Sequence, residues 1–212
     1  MERKMWQFIL GSTGFILYFI YDINSVRMKN AVLQKFFAVG SILVVVSLIA
    51  ELYAAWGSCH RKIGTMTGFG LGGLLFFCLL IYTLFFALPF EETYCEENKL
   101  RAAYTEGMYG LCRHPGVLWF AGAYLCMWGM VGGWKHGIYF LLMIFWNYLY
   151  IIFQDLWTFP RTFFNYKEYQ QSTPFLIPNR KSILVCLRTI RKMIDLERTV
   201  YEFKRKIKKT TV

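Results

Sequence analysis

The run VLWFAGAYLCMWGMVGGWKHGIYFLLMIFWNYLYIIF, residues 117–153, decides the fold. It holds two apolar blocks, about Val117 to Trp134 and Gly137 to Phe153, interrupted only by Lys135 and His136. So short an interruption leaves room for nothing but a helical hairpin. Upstream, apolar blocks recur at about Trp6 to Tyr21, Phe36 to Trp56 and Met66 to Phe90. Blocks of this length suit a hydrocarbon core of ~30 Å, so the solvent of this chain is a bilayer. Composition agrees: the 212 residues are 56% hydrophobic and 17% charged, where a soluble domain carries roughly 25% charge. Disorder, collagen-like repeats and a small disulfide-stapled secreted domain are excluded on the same grounds.

The expected architecture is an all-α polytopic membrane helix bundle of about five transmembrane helices, with a small cytoplasmic C-terminal cap and an amphipathic tail helix. Residues 1–65 supply the first two helices, 66–179 the core of helices 3–5 with the Arg-His-Pro loop and cap, and 180–212 the basic tail. In the tail, Ile183, Leu187, Ile190, Met193, Leu196, Val200, Phe203 and Ile207 recur at steps of three and four, the period of an amphipathic helix.

The net charge of +11 sits at the ends of apolar blocks and in the tail, which is a membrane protein's pattern and carries no nucleic-acid motif. With five spans and the tail inside, Arg27, Lys29, Lys35, Lys99, Arg101, Arg113 and the 13 basic residues from Arg161 to Lys209 are cytoplasmic. Outside remain Arg3, Lys4, Arg61, Lys62 and Lys135, a split of 19 to 5. The positive-inside rule therefore expects the N-terminus out and the 91–116 loop in, on the same side as the tail. If the short first block lies on the surface instead, four spans remain with the same inner loops.

Six cysteines without a C-x-x-C pair, and without histidines spaced to join them, give no zinc site and read as unlinked thiols. Gly68, Gly70 and Gly73 match G-x-G-x-x-G, but a transmembrane block follows and no strand precedes, so small-residue helix packing is the expectation. Trp6, Tyr53, Trp56, Trp134 and Trp157 near block ends read as an interfacial belt, and Glu51, close to Trp56, as a side chain reaching the headgroups, with a functional pocket as the alternative.

Chemistry concentrates in two segments. In Gly107-Met108-Tyr109-Gly110-Leu111-Cys112-Arg113-His114-Pro115-Gly116, the proline suits the first turn of the next helix and extends the residues before it. Arg113 and His114 are then held at a helix mouth, a place for an anionic group such as a carboxylate or phosphate. After the last apolar block, Asp155 is placed to meet a cationic ligand group. The aromatics from Phe159 to Tyr169 are too many for a solvated linker and imply a cap packed on the helices.

In order and spacing, the two segments resemble the isoprenylcysteine carboxyl methyltransferase and phospholipid methyltransferase superfamily of integral membrane enzymes, over about residues 75–179. Gly107, Tyr109, Arg113, His114 and Pro115 match the G-x-Y-x-x-x-R-H-P part, and Asp155, Phe163, Tyr166, Tyr169, Ile177 and Pro178 the second. Val117 stands where the family has Tyr, and Gln154 where it has the first of two acids. The resemblance implies S-adenosylmethionine on the cytoplasmic face, no metal, and a lipid or lipidated acceptor arriving from the bilayer. It implies Arg113, His114 and Asp155 as catalytic residues. Tyr109, Arg113, His114, Pro115, Asp155, Tyr166, Tyr169, Pro174, Phe175 and Leu176 would form the cofactor-binding set. Membrane sterol reductases resemble the region too, but with R-H-x-N-Y in place of Arg113 to Val117. A non-catalytic membrane protein that keeps the fold is the third reading.

The orientation is open to test with an impermeant thiol reagent on sealed membranes. Cys95 and Cys112 should be spared from outside; rapid external labelling of either would reverse the topology.

Overall fold

The computed structural model describes residues 5–57, 62–87 and 101–210, with side chains up to residue 193 and at Asp195 and Arg198. Cys59, Cys95 and the acidic stretch Glu91, Glu92, Glu96 and Glu97 lie outside the described residues. The helices are α1 (Trp6–Ile23), α2 (Ala31–Gln34), α3 (Phe36–Trp56), α4 (Ile63–Ile81), α5 (Met108–Leu111), α6 (Pro115–Val131), α7 (Trp134–Phe153), α8 (Phe159–Thr162), α9 (Tyr166–Ser172) and α10 (Arg180–Thr210). Among the described residues the only β-type pairing is an isolated bridge between Arg101 and Phe163.

Among the described residues, four stretches are long and apolar enough to cross a membrane: Trp6–Met28, Ala31–Trp56, Ile63–Phe86 and Trp134–Thr162. The fifth apolar helix, α6, has 17 residues and spans only ~26 Å at the α-helical rise. Large side chains such as Ile42, Ile49, Leu71 and Leu75 point outward, as lipid-facing positions do. Inside, Phe15, Tyr139, Phe140 and Met143 are fully buried and form the centre of the bundle.

Small residues set the helix contacts. A Cβ on Gly40 of α3 would come within 2.7 Å of the Gly14 carbonyl oxygen of α1, so the two backbones touch through glycine. Aromatic rings do the equivalent between α4 and α6, where Phe76 and Phe69 lie against Gly122 and Gly129. Of the three glycines in the G-x-G-x-x-G pattern, Gly73 packs against Cys126, whereas Gly68 faces open space, so the packing expectation holds for part of the run.

The hairpin turn differs from the expected place. Gly132 and Gly133, with φ of 72° and 75°, make the reversal, and Lys135 and His136 belong to the first turn of α7. Left-handed φ at two successive residues is a glycine conformation, whereas a charged pair can ride on a helix end. Glu51 is also corrected. It is 1% exposed, and the Nδ1 atom of His136 lies 2.7 Å from its carboxylate, so it is bonded inside the bundle and does not reach the headgroups. Ser47 and Tyr139 bond beside it.

At the other end, α1, α4 and α7 each continue into one wide π-helical turn, Asn24–Met28, Tyr82–Phe86 and Gln154–Thr158. Thr158 donates to Asp22 at 3.2 Å, and the Tyr109 hydroxyl to the Thr83 carbonyl at 3.2 Å, so these turns share one end with α5. Such turns in long helices accompany functional sites.

Gly132, at φ 72° and ψ −168°, occupies a region open essentially to glycine alone. Gly132→Ala should cost about 1–3 kcal/mol. Gly68→Ala, in open space, should be neutral or slightly stabilising. Thermal unfolding in detergent compares them, and equal melting points would refute the turn assignment.

Candidate functional site

The site is assembled around one carboxylate. Pro115 begins α6, and the two residues before it that carry chemistry follow Cys112 in an extended conformation (φ −158°, ψ 165°). The chain thus leaves α5 stretched and enters α6 with Arg113 and His114 at its mouth. Asp155 is delivered from the opposite direction by the wide turn that ends α7.

Arg113 meets Asp155 two-pronged, Nε to Oδ1 at 2.8 Å and Nη2 to Oδ2 at 3.0 Å. His114 Nε2 lies 3.1 Å from the same Oδ1, and the Tyr166 hydroxyl donates to it at 2.6 Å. Gln170 Nε2 donates to Oδ2 at 3.2 Å and to the Asp155 carbonyl at 3.0 Å. Five donors therefore converge on two oxygens. Arg113 Nη1 also donates to the carbonyls of Gln170 and Thr173, at 3.1 and 2.7 Å. Four of the five guanidinium N–H groups are thus spent on Asp155 and the cap carbonyls, and Tyr166 stands beside the guanidinium as a further hydrogen-bond partner.

Ring faces wall this polar centre. Phe159 stacks on the His114 imidazole with centroids 5.8 Å apart, and Phe175 meets it edge-on at 5.2 Å. The Arg113 guanidinium lies 5.5 Å from the Phe175 ring centroid. Behind them, Tyr166 and Tyr169 form a small buried cluster with Ala103. The Tyr169 hydroxyl donates to the Tyr109 carbonyl at 2.6 Å, and the Arg113 backbone N–H donates to the Pro174 carbonyl at 2.9 Å.

Burial and charge set the protonation states. Burial pushes the His114 pKa below its ordinary value of 6.5, and the neighbouring Asp155 carboxylate offsets only part of the shift. His114 is neutral at pH 7. Because a carboxylate only accepts, Nε2 carries the proton donated to Asp155, and Nδ1 holds the ring's lone pair. Burial disfavours charge on Arg113 as well, but its bonds to Asp155 outweigh that and hold it firmly protonated. Burial raises the Tyr166 pKa, and the bond to Asp155 raises it further, so that hydroxyl stays a donor. Cys112, 0% exposed, is pushed up to about 11 by burial; it is inert to thiol reagents on either side of a membrane. Cys112 therefore says nothing about topology, and Cys95 carries that test alone.

Of the residues singled out from sequence, Arg113, His114, Asp155 and Tyr166 touch one another, and Phe175 closes over two of them. Pro115 is buried as the first residue of α6, while Tyr109, Tyr169 and Pro174 sit one contact further out. Leu176 is half-buried beyond them. Three participants were not singled out. Gln170 stands four residues after Tyr166 on α9, a spacing that puts both on one helix face and was a usable signal. Phe159 stood unassigned among the cap aromatics. Thr83, 0% exposed, accepts from Trp119 Nε1 at 3.1 Å and lies in an apolar block with nothing to mark it.

The two positions that depart from the resembled pattern have local explanations. Gln154 bonds the Asp22 carboxylate of α1, where an acid would place like charges together. Val117 is 7% exposed, in an apolar setting. Family models, curated proteins and solved structures give no match to this chain.

The lowered His114 pKa has a signed consequence. The unfolded chain takes up a proton near pH 6.5 that the folded site resists, so stability should fall as pH drops through about 6.5 and the loss should level off below the folded pKa. His114→Gln should remove that part of the pH dependence. An unchanged melting-point profile between pH 5 and 8 (on the order of the range of ordinary histidine titration) would refute it.

Proposed function

We propose that the chain transfers a methyl group from S-adenosylmethionine to a lipid or lipidated acceptor at the cytoplasmic face. The reading is carried by the convergence of Arg113, His114, Asp155 and Tyr166, the residues through which the sequence resembles that superfamily, on one aromatic-walled site at the bundle end. S-adenosylmethionine, when bound, supplies a methyl group on a cationic sulfur, which leaves as a neutral thioether.

The residues present suit such a cation. Phe159, Phe175 and Tyr166 give the site aromatic walls of the kind that favour positive charge, and His114 and Asp155 within it are buried. An anionic group has the N-terminal end of α6, with the positive charge of Arg113 beside it. Methyl transfer depends on alignment more than on proton transfer, so a rigid first turn at Pro115 and a cap tied through Asp155 serve it directly. For an amine acceptor a proton must leave. The base is His114 through Nδ1, because both Asp155 oxygens are engaged.

One observation favours a second reading. The Asp155 carboxylate accepts five hydrogen bonds from within the chain, as a purely structural carboxylate would, which suits a fold-keeping binding subunit without turnover.

Calorimetry on the detergent-solubilised chain separates these readings and the reductase. The proposal expects binding of S-adenosylmethionine or its demethylated product and no response to NADPH; NADPH binding alone would overturn it. Arg113→Ala should weaken binding roughly 10- to 150-fold, the worth of one charged hydrogen bond, with Arg113→Lys between. His114→Gln should keep binding and lose turnover if the acceptor is an amine. Binding without turnover of any lipid extract would favour the second reading.

A further inference from the structure

Helix α10 grips the protein with one face and leaves another, more apolar face bare. Its docking face runs through Ser182, Cys186, Thr189 and Met193, at steps of four, three and four. Ser182 and Cys186 are 4% and 5% exposed. Thr189 Oγ1 accepts from the Gly107 N–H at 2.9 Å, and the Tyr104 hydroxyl donates to Met193 Sδ at 3.5 Å. Backbones approach closely where Gly110 lies against Val185 and Cys186. This contact combines the small or polar Ser182, Cys186 and Thr189 with Val185 and Met193.

Other bulky apolar residues lie elsewhere on the helix. Ile183, Leu184 and Leu187 are 42%, 52% and 60% exposed, and the neighbouring Ile177 is 81% exposed. Ile183 and Leu187 stand about 100° round the helix from Ser182 and Cys186, so the docking face cannot absorb them. The same 14 residues, 180–193, contain Arg180, Lys181, Arg188, Arg191 and Lys192, all exposed, and no acidic residue. A second copy laid on this face would bring Arg180 and Arg191, which lie within about 40° of Leu187 round the helix, against the same two. An anionic surface with an apolar interior would satisfy both features at once.

Position supports the same occupant. Helix α10 rests on α5, which leads directly into α6, and Tyr109 of α5 bonds the end of the span Ile63–Phe86 at Thr83. The N-terminal half of α10 is thus held at the level where membrane helices end.

We infer that residues 180–193 of α10 form an amphipathic anchor that lies in the anionic lipid surface beside the bundle, with Ile183 and Leu187 in the acyl boundary and the arginines at lipid phosphates. The anchor has a mechanical consequence. Through Thr189 and Cys186 it braces Gly107 to Leu111, the segment that carries Tyr109 to the edge of the site. Neither the anchor nor its consequence rests on the reaction catalysed.

The test is photocrosslinking of the full chain in nanodiscs. The crosslinking residue p-benzoylphenylalanine replaces Leu187, whose exposure lets a large side chain in, or Lys192, about 140° round the helix as a control. Adducts are identified by mass in phosphatidylcholine alone and in phosphatidylcholine with phosphatidylglycerol. Lipid adducts should form at position 187, strongly with phosphatidylglycerol and weakly without, and be sparse at 192. The pair Arg188→Gln and Arg191→Gln, both exposed and off the docking face, should lower the yield roughly fivefold per charge removed. Adducts to a second copy, no lipid adducts, or equal yields with and without anionic lipid would each overturn the inference.

Discussion

Five hydrogen bonds to the Asp155 carboxylate tie α6, α7 and the cap together at one end of the bundle. Arg113 and His114 reach it from the start of α6, Tyr166 and Gln170 from α9 in the cap, and Asp155 itself rides on the end of α7. Without that acceptor the cap keeps a small aromatic cluster, a few backbone bonds, the Arg113 Nη1 bonds to Gln170 and Thr173 and the Tyr169 bond to Tyr109. A buried ion pair is not in itself a strong source of stability, because desolvation offsets the attraction. Its value here is geometric: it fixes a histidine as a neutral Nε2-protonated ring between two phenyl rings.

The bundle supports this arrangement through close backbone contacts. Gly14 against Gly40, and Phe76 and Phe69 against Gly122 and Gly129, bring helices together in a solvent that gives no hydrophobic drive to their association. Polar pairs within the spans add to these contacts at both ends of the bundle, with Asp22 and Thr83 bonded near the site. Glu51 with His136 fastens α3 to the start of α7 at the opposite end. The wide turns that end α4 and α7 then aim Thr83 and Asp155 at the elements around α5 and α6, while Asp22, in the last turn of α1, meets Thr158 in the turn after α7. The exposed apolar face of α10 extends the contact with lipid past the last span.

Much of this was legible in the sequence. Arg113-His114-Pro115 announces a helix mouth because proline has one good place at a helix start, and Asp155 at the end of an apolar block is a charge that needs a partner. That these two are partners of each other, and not separate receptors for two ends of a ligand, is a long-range fact that local pattern does not carry. The hairpin turn was displaced because Lys135 and His136 are conspicuous in hydropathy, while Gly132 and Gly133 announce themselves only through φ. Glu51 was misread for the same reason: His136 is 85 residues away. The tail's apolar stripe was legible as amphipathic, yet the face the fold uses is the one through Ser182 and Thr189, chosen by close approach to Gly107 and Gly110.

The organising role of Asp155 is tested most directly by a double-mutant cycle on unfolding stability in detergent, using Arg113→Ala, Asp155→Asn and the two together. If the pair is one buried unit, Arg113→Ala strands a carboxylate and should cost about 3–5 kcal/mol, and the double variant should be little worse than the single. The coupling energy should then reach about 2–3 kcal/mol. Losses that simply add, within roughly 0.5 kcal/mol, would contradict the account and make Arg113 and Asp155 independent residues at a membrane boundary.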